Sequence, residues 1–472
     1  MRELARKDER TTEFGSPSYV GKVRARSAKF TKNTVDDRLD GDDFRALEEV
    51  HSCLREKGEM VQVDRTMGES VKFHCRLLVS KEYARVALGW SELLSEGNCL
   101  GKPDMVTVMV PGWKERKILV NPDKAITFAL GSDYIGEAKK AFLRMWMYLV
   151  RKKGGLGLHA GSKLVKIKNS TGKMQEFGQL YFGLSATGKS TLTGNGLGLK
   201  GEERAWLVQD DVVGLLGGEC IGTEGKGLFI KTEGICPEEQ PELFHAVTQP
   251  SAVLENVWVS EQGKVDFLNY NLTSNGRAVV QRSEMDNAAK SIDMQKVNHL
   301  FFITRNPLVP PVVRLNREKA GAAFMLGESV ESSAGDPSKA GQSVRIVGTN
   351  PFVVGSKGGE GNRLVELLRA QKHIQCFILN TGRVGEGENA REIRVKDTVE
   401  IIKKVCRSEF EWKFDGELKC EVPAEIAGTA FDPRTHYSRE EFSARMEKLR
   451  RERVEWLARF PELSEKIKKE VY

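Results

Sequence analysis

The stretch Gln179-Leu-Tyr-Phe-Gly-Leu-Ser-Ala-Thr-Gly-Lys-Ser-Thr-Leu-Thr-Gly-Asn-Gly-Leu197 decides the reading of this chain. Its centre, Gly183 to Ser190, satisfies Gly-x-x-x-x-Gly-Lys-[Ser/Thr], and an apolar strand-like run precedes it while a helix-compatible segment follows. Glycines let successive backbone N–H groups turn inward around phosphate oxygens, and the start of a helix favours an anion. In such a loop Gly183, Ser185, Thr187, Gly188, Lys189, Ser190 and Thr191 are the candidate nucleotide contacts. Lys189 would reach the outer phosphates and the Ser190 hydroxyl the metal. A loop of this kind performs no chemistry alone, so metal and acceptor groups must come from elsewhere. Leu207-Val-Gln-Asp-Asp211, an apolar step ending in two carboxylates some twenty residues on, offers Asp210 and Asp211 for the metal.

Working outward, the flanking runs alternate between helical and strand periodicity, which predicts a mixed α/β fold. Helices are expected near 42–57, 81–94 and 136–154, and strands at 60–66, 71–79, 104–110 and 115–121. Gly154-Gly155 marks a boundary, and a strand reaching His159 continues to a polar turn at 169–173. Residues 298–306 and 373–380 are apolar enough for buried strands. Residues 331–361, rich in Gly and Ser, read as a mobile loop, and 437–472 as a charged amphipathic helical segment. The expected division is an N-terminal substrate-binding α/β domain (1–153), a nucleotide- and metal-binding domain (154–440) and a helical segment (441–472). Length supports more than one core, since 472 residues exceed what a single one usually serves.

Composition narrows the function classes. Seventy-three basic against 66 acidic residues leave a net charge of +7, too small and too well mixed to indicate nucleic-acid binding. Eight scattered cysteines form no Cys-x-x-Cys pair, the charged N-terminus lacks a signal-like apolar run, and no stretch is long enough to span a membrane. The expectation is a cytoplasmic protein with reduced thiols and small-molecule partners, its oligomeric state left open.

Several segments in order resemble ATP-dependent phosphoenolpyruvate carboxykinase: Ala25-Arg-Ser-Ala-Lys29, Asp133-Tyr-Ile-Gly-Glu-Ala-Lys-Lys-Ala-Phe142, Gly157-Leu-His-Ala-Gly-Ser162, the loop itself, Leu207 to Gly214, and Leu228-Phe-Ile-Lys-Thr-Glu-Gly234. Later stretches, among them Thr273 to Asn287 and Ile378-Leu-Asn-Thr-Gly-Arg383, follow in family order, so the likeness spans roughly 20 to 440. It implies a two-domain fold with a phosphate-loop domain, and the conversion of oxaloacetate and ATP to phosphoenolpyruvate, carbon dioxide and ADP with Mn²⁺ and Mg²⁺. It also implies roles: Lys140, His159 and Asp211 on a transition metal, Lys139 on substrate oxygens, Arg26 and Arg277 on carboxylates, and Tyr134 beside the departing carbon dioxide. Lys231 would reach the γ-phosphate, and Arg391 and Thr398 would lie near adenine, with Arg394 an equal match to the family's basic residue. Closure of 331–361 would exclude water. The chain departs from the pattern at Val212 to Leu215, at Ala28 and at Thr304-Arg305-Asn306. A phosphate-loop kinase of the same fold acting on another small acceptor is the alternative.

Overall fold

A computed structural model describes residues 2–25, 34–35, 39–57, 59–97, 101–183, 187–238, 240–330 and 343–472. Arg26, Ser185 and the 331–342 part of the expected mobile loop lie outside these described residues. The elements that position the site are, in chain order, β1 (Pro17–Tyr19), α1 (Ile135–Lys152), β2 (Leu156–Leu158), β3 (Ala160–Lys168), β4 (Met174–Phe182), α2 (Lys189–Gly194), β5 (Arg204–Gln209), β6 (Val213–Leu216), β7 (Gly227–Lys231), β8 (Val253–Glu255), β9 (Arg277–Gln281), β10 (His299–Thr304), β11 (Gln375–Asn380) and α3 (Val395–Arg407).

The chain divides into two compact units: 1–149 with 222–292 and 352–355, and 150–221 with 293–351 and 356–472. The sequence reading kept 154–440 in one domain. The structure instead returns 222–292 to the first unit, because β8 pairs with β1 and β9, and β9 with β7, so the N-terminal strand is completed by residues more than 200 positions away. The first unit also holds a seven-stranded sheet built around Phe73–Ser80, Met105–Val110 and Ile126–Leu130; burial alternates along Phe73–Ser80, as strand periodicity requires, while Met105–Val110 is buried almost throughout. α1 buries Phe142, Met145 and Trp146, with Trp90 stacked on Phe142 at 4.6 Å.

An eight-stranded mixed sheet forms the second unit, in the order β5, β3, β4, β10, β11, Val312–Leu315, Cys420–Pro423, Trp412–Asp415. β4, β10 and β11 run parallel, and Tyr181, Phe301 and Phe377 stack across them inside a core closed by α3. Both buried apolar runs read from the sequence are thus central strands, as continuous hydrophobicity requires. The helix Arg439–Ala458 is no separate segment: Phe442, Met446, Leu449 and Leu457 are buried within the second unit. Nor is 343–361 an open loop. Ser343–Arg345 pairs with Glu328–Val330, a tight turn follows at 347–349, and a helix starts at Lys357.

Candidate active site

β2 and β3 are one stretch of chain that changes sheets at His159. β2 pairs with β6 in a small sheet, Leu158 opposite Val213, whereas β3 pairs with β5 in the large one, Ser162 opposite Gln209. The partner strand changes sheets over the same interval, at Asp210 to Val212, so the two crossovers face each other. His159 Nε2 lies 3.1 Å from Asp211 Oδ1 as a result. Lys189, the first residue of α2, brings its Nζ to 3.3 Å from His159 Nε2 and 3.5 Å from Asp211 Oδ1. These side chains are largely sheltered, at 12%, 15% and 11% exposure.

Two features fix the cluster. His159 Nδ1 is 2.7 Å from the carbonyl oxygen of Thr349, which as an acceptor keeps a proton on Nδ1 and turns Nε2 toward Asp211 and Lys189. Thr349 holds that carbonyl in place with φ +50°, a conformation a β-branched residue rarely adopts. Gly188, at φ +92°, turns the chain into α2. α2 then sits on β3 at Gly161, where a Cβ would lie 2.2 Å from Thr193 Oγ1. Among the described loop residues, Gly183 and Thr187 are buried while Ser190 and Thr191 are exposed, and the Thr187 carbonyl accepts from Thr381 Oγ1 at 2.7 Å.

The other end of α2 is closed by Lys163, fully buried on β3, whose ammonium donates to the carbonyls of Leu192 and Asn195. Burial pushes its pKa down to about 7, with Cys406 nearby opposing the shift. Since the unfolded lysine keeps its proton to about pH 10.5, the unfolded chain binds more protons between pH 7 and 10.5, and stability contributed at this site rises with pH across that window. Thermal melts at pH 6.5 and 9 should therefore show wild type gaining on Lys163→Met by on the order of 2 kcal/mol. A difference that stays constant with pH would mean the lysine is not depressed.

In the first unit Phe229 on β7 organises a second cluster. Lys139 Nζ and the Arg277 guanidinium each sit 5.5 Å from its ring centre, and the Tyr134 ring meets it edge-on at 6.0 Å. Lys139 is ion-paired with Glu224 at 2.9 Å, both buried, which favours the charged ammonium. Asn275 donates to Tyr134 Oη at 3.3 Å and accepts from Arg277 Nη2 at 2.9 Å. Burial raises the Tyr134 pKa, so its hydroxyl stays protonated. Lys231, Arg277 and Glu255 are aligned across β7, β9 and β8. Lys231 pairs with Glu233, and burial pushes Glu255 up to about 8. Lys140, also in this unit, lies over the Phe352 ring at 4.7 Å.

Remaining candidates are placed less directly. Asp210 is half-buried beside Asp211. Arg391 is exposed and stacks on Phe431 at 5.0 Å, whereas Thr398 is buried in the first turns of α3, with its hydroxyl 3.5 Å from the Arg394 carbonyl. Phe229, Glu224, Thr349 and Thr381 were not singled out from the sequence. For Phe229, the only local signal was its place two residues before Lys231 on one strand face.

Two donors about 2.1 Å from one ion, at a right angle, stand about 3 Å apart. The His159 to Asp211 separation fits such a pair of ligands. Among the described residues no three His, Cys, Asp or Glu side chains cluster, so any further protein ligand is of another type or lies elsewhere.

A lysine opening a helix beyond the end of a sheet strand, beside a histidine and a carboxylate, is an arrangement suited to nucleotide-dependent phosphoryl-transfer enzymes of α/β fold. The sequence profile of the family described as phosphoenolpyruvate carboxykinase matches residues 18–431. A protein named phosphoenolpyruvate carboxykinase (ATP) from Aeropyrum pernix is 36% identical, over 86% of this chain and 82% of its own. Proteins of the same name from Rhizobium johnstonii and Bacillus cereus are 26% and 25% identical, over 68% and 78% of this chain and 59% and 70% of theirs. The chain thus spans less than two thirds of the rhizobial relative. It belongs to the phosphoenolpyruvate carboxykinase family.

Proposed function

We propose that the chain converts oxaloacetate and ATP to phosphoenolpyruvate, carbon dioxide and ADP. The observation that carries this, beside family membership, is the convergence of Lys189, His159 and Asp211. Cleavage of the bond to the departing carboxylate leaves its electron pair on the substrate as an enolate. The enolate oxygen then attacks the γ-phosphorus, and the bond to the ADP oxygen breaks. Both steps place negative charge that preorganised cations stabilise.

Gly183, Ser185, Thr187, Gly188 and Thr191 would shape the phosphate turn, with Lys189 on the outer phosphates. Ser190 and Asp210 would hold Mg²⁺ accompanying the nucleotide, and Lys140, His159 and Asp211 would hold Mn²⁺. A divalent cation bound there supplies positive charge to the developing enolate oxygen. Arg277, whose guanidinium fork outperforms a point charge, would grip a substrate carboxylate together with Arg26. Lys139, kept charged by Glu224, would face substrate oxygens, and protonated Tyr134 would border the leaving carbon dioxide. Lys231 would meet the γ-phosphate, and Arg391 or Arg394, with Thr398, would border adenine. Among the described residues no helix is long and apolar enough to cross a membrane, and a cytoplasmic setting is part of this proposal.

The test is incubation with oxaloacetate, Mn²⁺ and either ATP or GTP at equal concentration, following phosphoenolpyruvate. ATP should be clearly preferred, because the loop Tyr181 to Thr191 has the ATP-type pattern. Absence of phosphoenolpyruvate with either nucleotide would overturn the assignment, and a preference for GTP would overturn the nucleotide choice.

A further inference from the structure

We propose that Arg305 is a nucleotide-binding residue whose guanidinium donates to the phosphate chain of the nucleoside triphosphate or diphosphate seated on the Thr187 to Lys189 turn. The inference rests on the function proposed above and adds a contact to it.

Position gives the first argument. β10 is the parallel neighbour of β4, with Phe182 opposite Phe302, so Arg305 leaves the carboxyl end of β10 beside the point where the phosphate loop leaves β4. Ligands of such sheets bind beyond the carboxyl ends of the strands. Rigidity gives the second. Thr381 N–H donates to the Thr304 carbonyl at 2.9 Å, and the same residue's hydroxyl donates to the Thr187 carbonyl. Asn380 Nδ2 lies within 2.8 Å of the Asn306 carbonyl and 2.7 Å of that of Val309. The residues on both sides of Arg305 are thereby tied to one framework that also holds Thr187.

The side chain itself gives the third. The stem of Arg305 packs on Gly382, where a Cβ would come within 3.1 Å of Arg305 Cβ and 3.2 Å of its Cγ, so a side chain there would press on the arginine stem and shift it by a few tenths of an ångström. Its Nε is buried and has no hydrogen-bond partner among the described residues. Beyond Gly382, whose carbonyl accepts from Ile393 N–H at 2.9 Å, the strand pair Arg383–Val384 and Arg391–Glu392 leads to the segment assigned to adenine. Arg305 therefore adjoins both the phosphate turn and the adenine segment, where a planar, permanently charged donor matches phosphate oxygens.

Binding of MgATP, MgADP and inorganic tripolyphosphate should be measured by calorimetry on wild type, Arg305→Ala, Arg305→Lys and Lys189→Ala. Arg305→Ala should weaken all three by about tenfold or more, the usual loss for a charged hydrogen bond, with Arg305→Lys recovering part and KM for oxaloacetate unmoved. Gly382→Ala, which keeps the charge but displaces the stem, should weaken MgATP as well. Matching melting temperatures exclude global unfolding. If Lys189→Ala loses affinity while Arg305→Ala stays within twofold of wild type, the inference falls and the phosphate-turn reading stands. If neither variant loses affinity, that reading falls and takes the inference with it. Weakened MgATP with unchanged tripolyphosphate would place Arg305 on the base or ribose and overturn the phosphate assignment.

Discussion

Lys189→Ala will lower the rate of phosphoenolpyruvate formation by about three orders of magnitude while leaving the protein folded. Removing one preorganised donor from a transferring group costs roughly 3–4 kcal/mol of transition-state stabilisation. Lys189 is held by Gly188 at φ +92° and by the seating of α2 on Gly161, so its ammonium is already placed before any nucleotide arrives. Its neighbours Asp211 and His159 remain as a pair in the variant, so the loss falls on the phosphate side. Coupled assays of phosphoenolpyruvate release, with circular dichroism as the folding control, check it. Turnover within tenfold of wild type would remove the basis for the nucleotide site.

His159→Gln should weaken Mn²⁺ binding by at least about a hundredfold and leave MgATP affinity within about threefold. Even partners that only orient a metal-bound histidine cost 10–100-fold when lost, so losing the imidazole costs at least that. Glutamine also gives up the Nδ1 bond to the Thr349 carbonyl, so matching melting temperatures are needed to separate loss of the ring nitrogen from loss of the local structure. Mn²⁺ titration followed by electron paramagnetic resonance reads the first number and calorimetry the second. Unchanged Mn²⁺ affinity would mean that His159 and Asp211 stand together for another reason.

What could be read from the sequence was what is local. The strand, glycine turn and lysine helix of 179–197 occupy one continuous stretch, and the apolar runs at 299–304 and 375–380 announce buried strands by composition alone. Asp211 was legible as the acidic end of an apolar step past the loop, but His159 entered as a ligand through the family resemblance, since nothing in their spacing shows that both chain segments change sheets at the same level. That fact depends on two registers, β2 with β6 and β3 with β5, each set by packing. Thr349 escaped because its contribution is a backbone carbonyl in an unusual conformation, and its setting in a Gly- and Ser-rich stretch suggested mobility instead. The placement of 222–292 escaped because pairing between residues 18 and 254 leaves no trace in either segment.

That last pairing also bears on synthesis. The residues of β1 leave the ribosome some 236 positions before Leu254, the partner of Ser18, does. At about 5–20 residues per second, β1 waits on the order of ten seconds or more with its backbone donors and acceptors unmatched by β8. A nascent chain halted near residue 150 thus carries the seven-stranded sheet in full but not the five-stranded one that Tyr134 and Arg277 depend on, and the order in which the two sheets can close is written into the path of the chain.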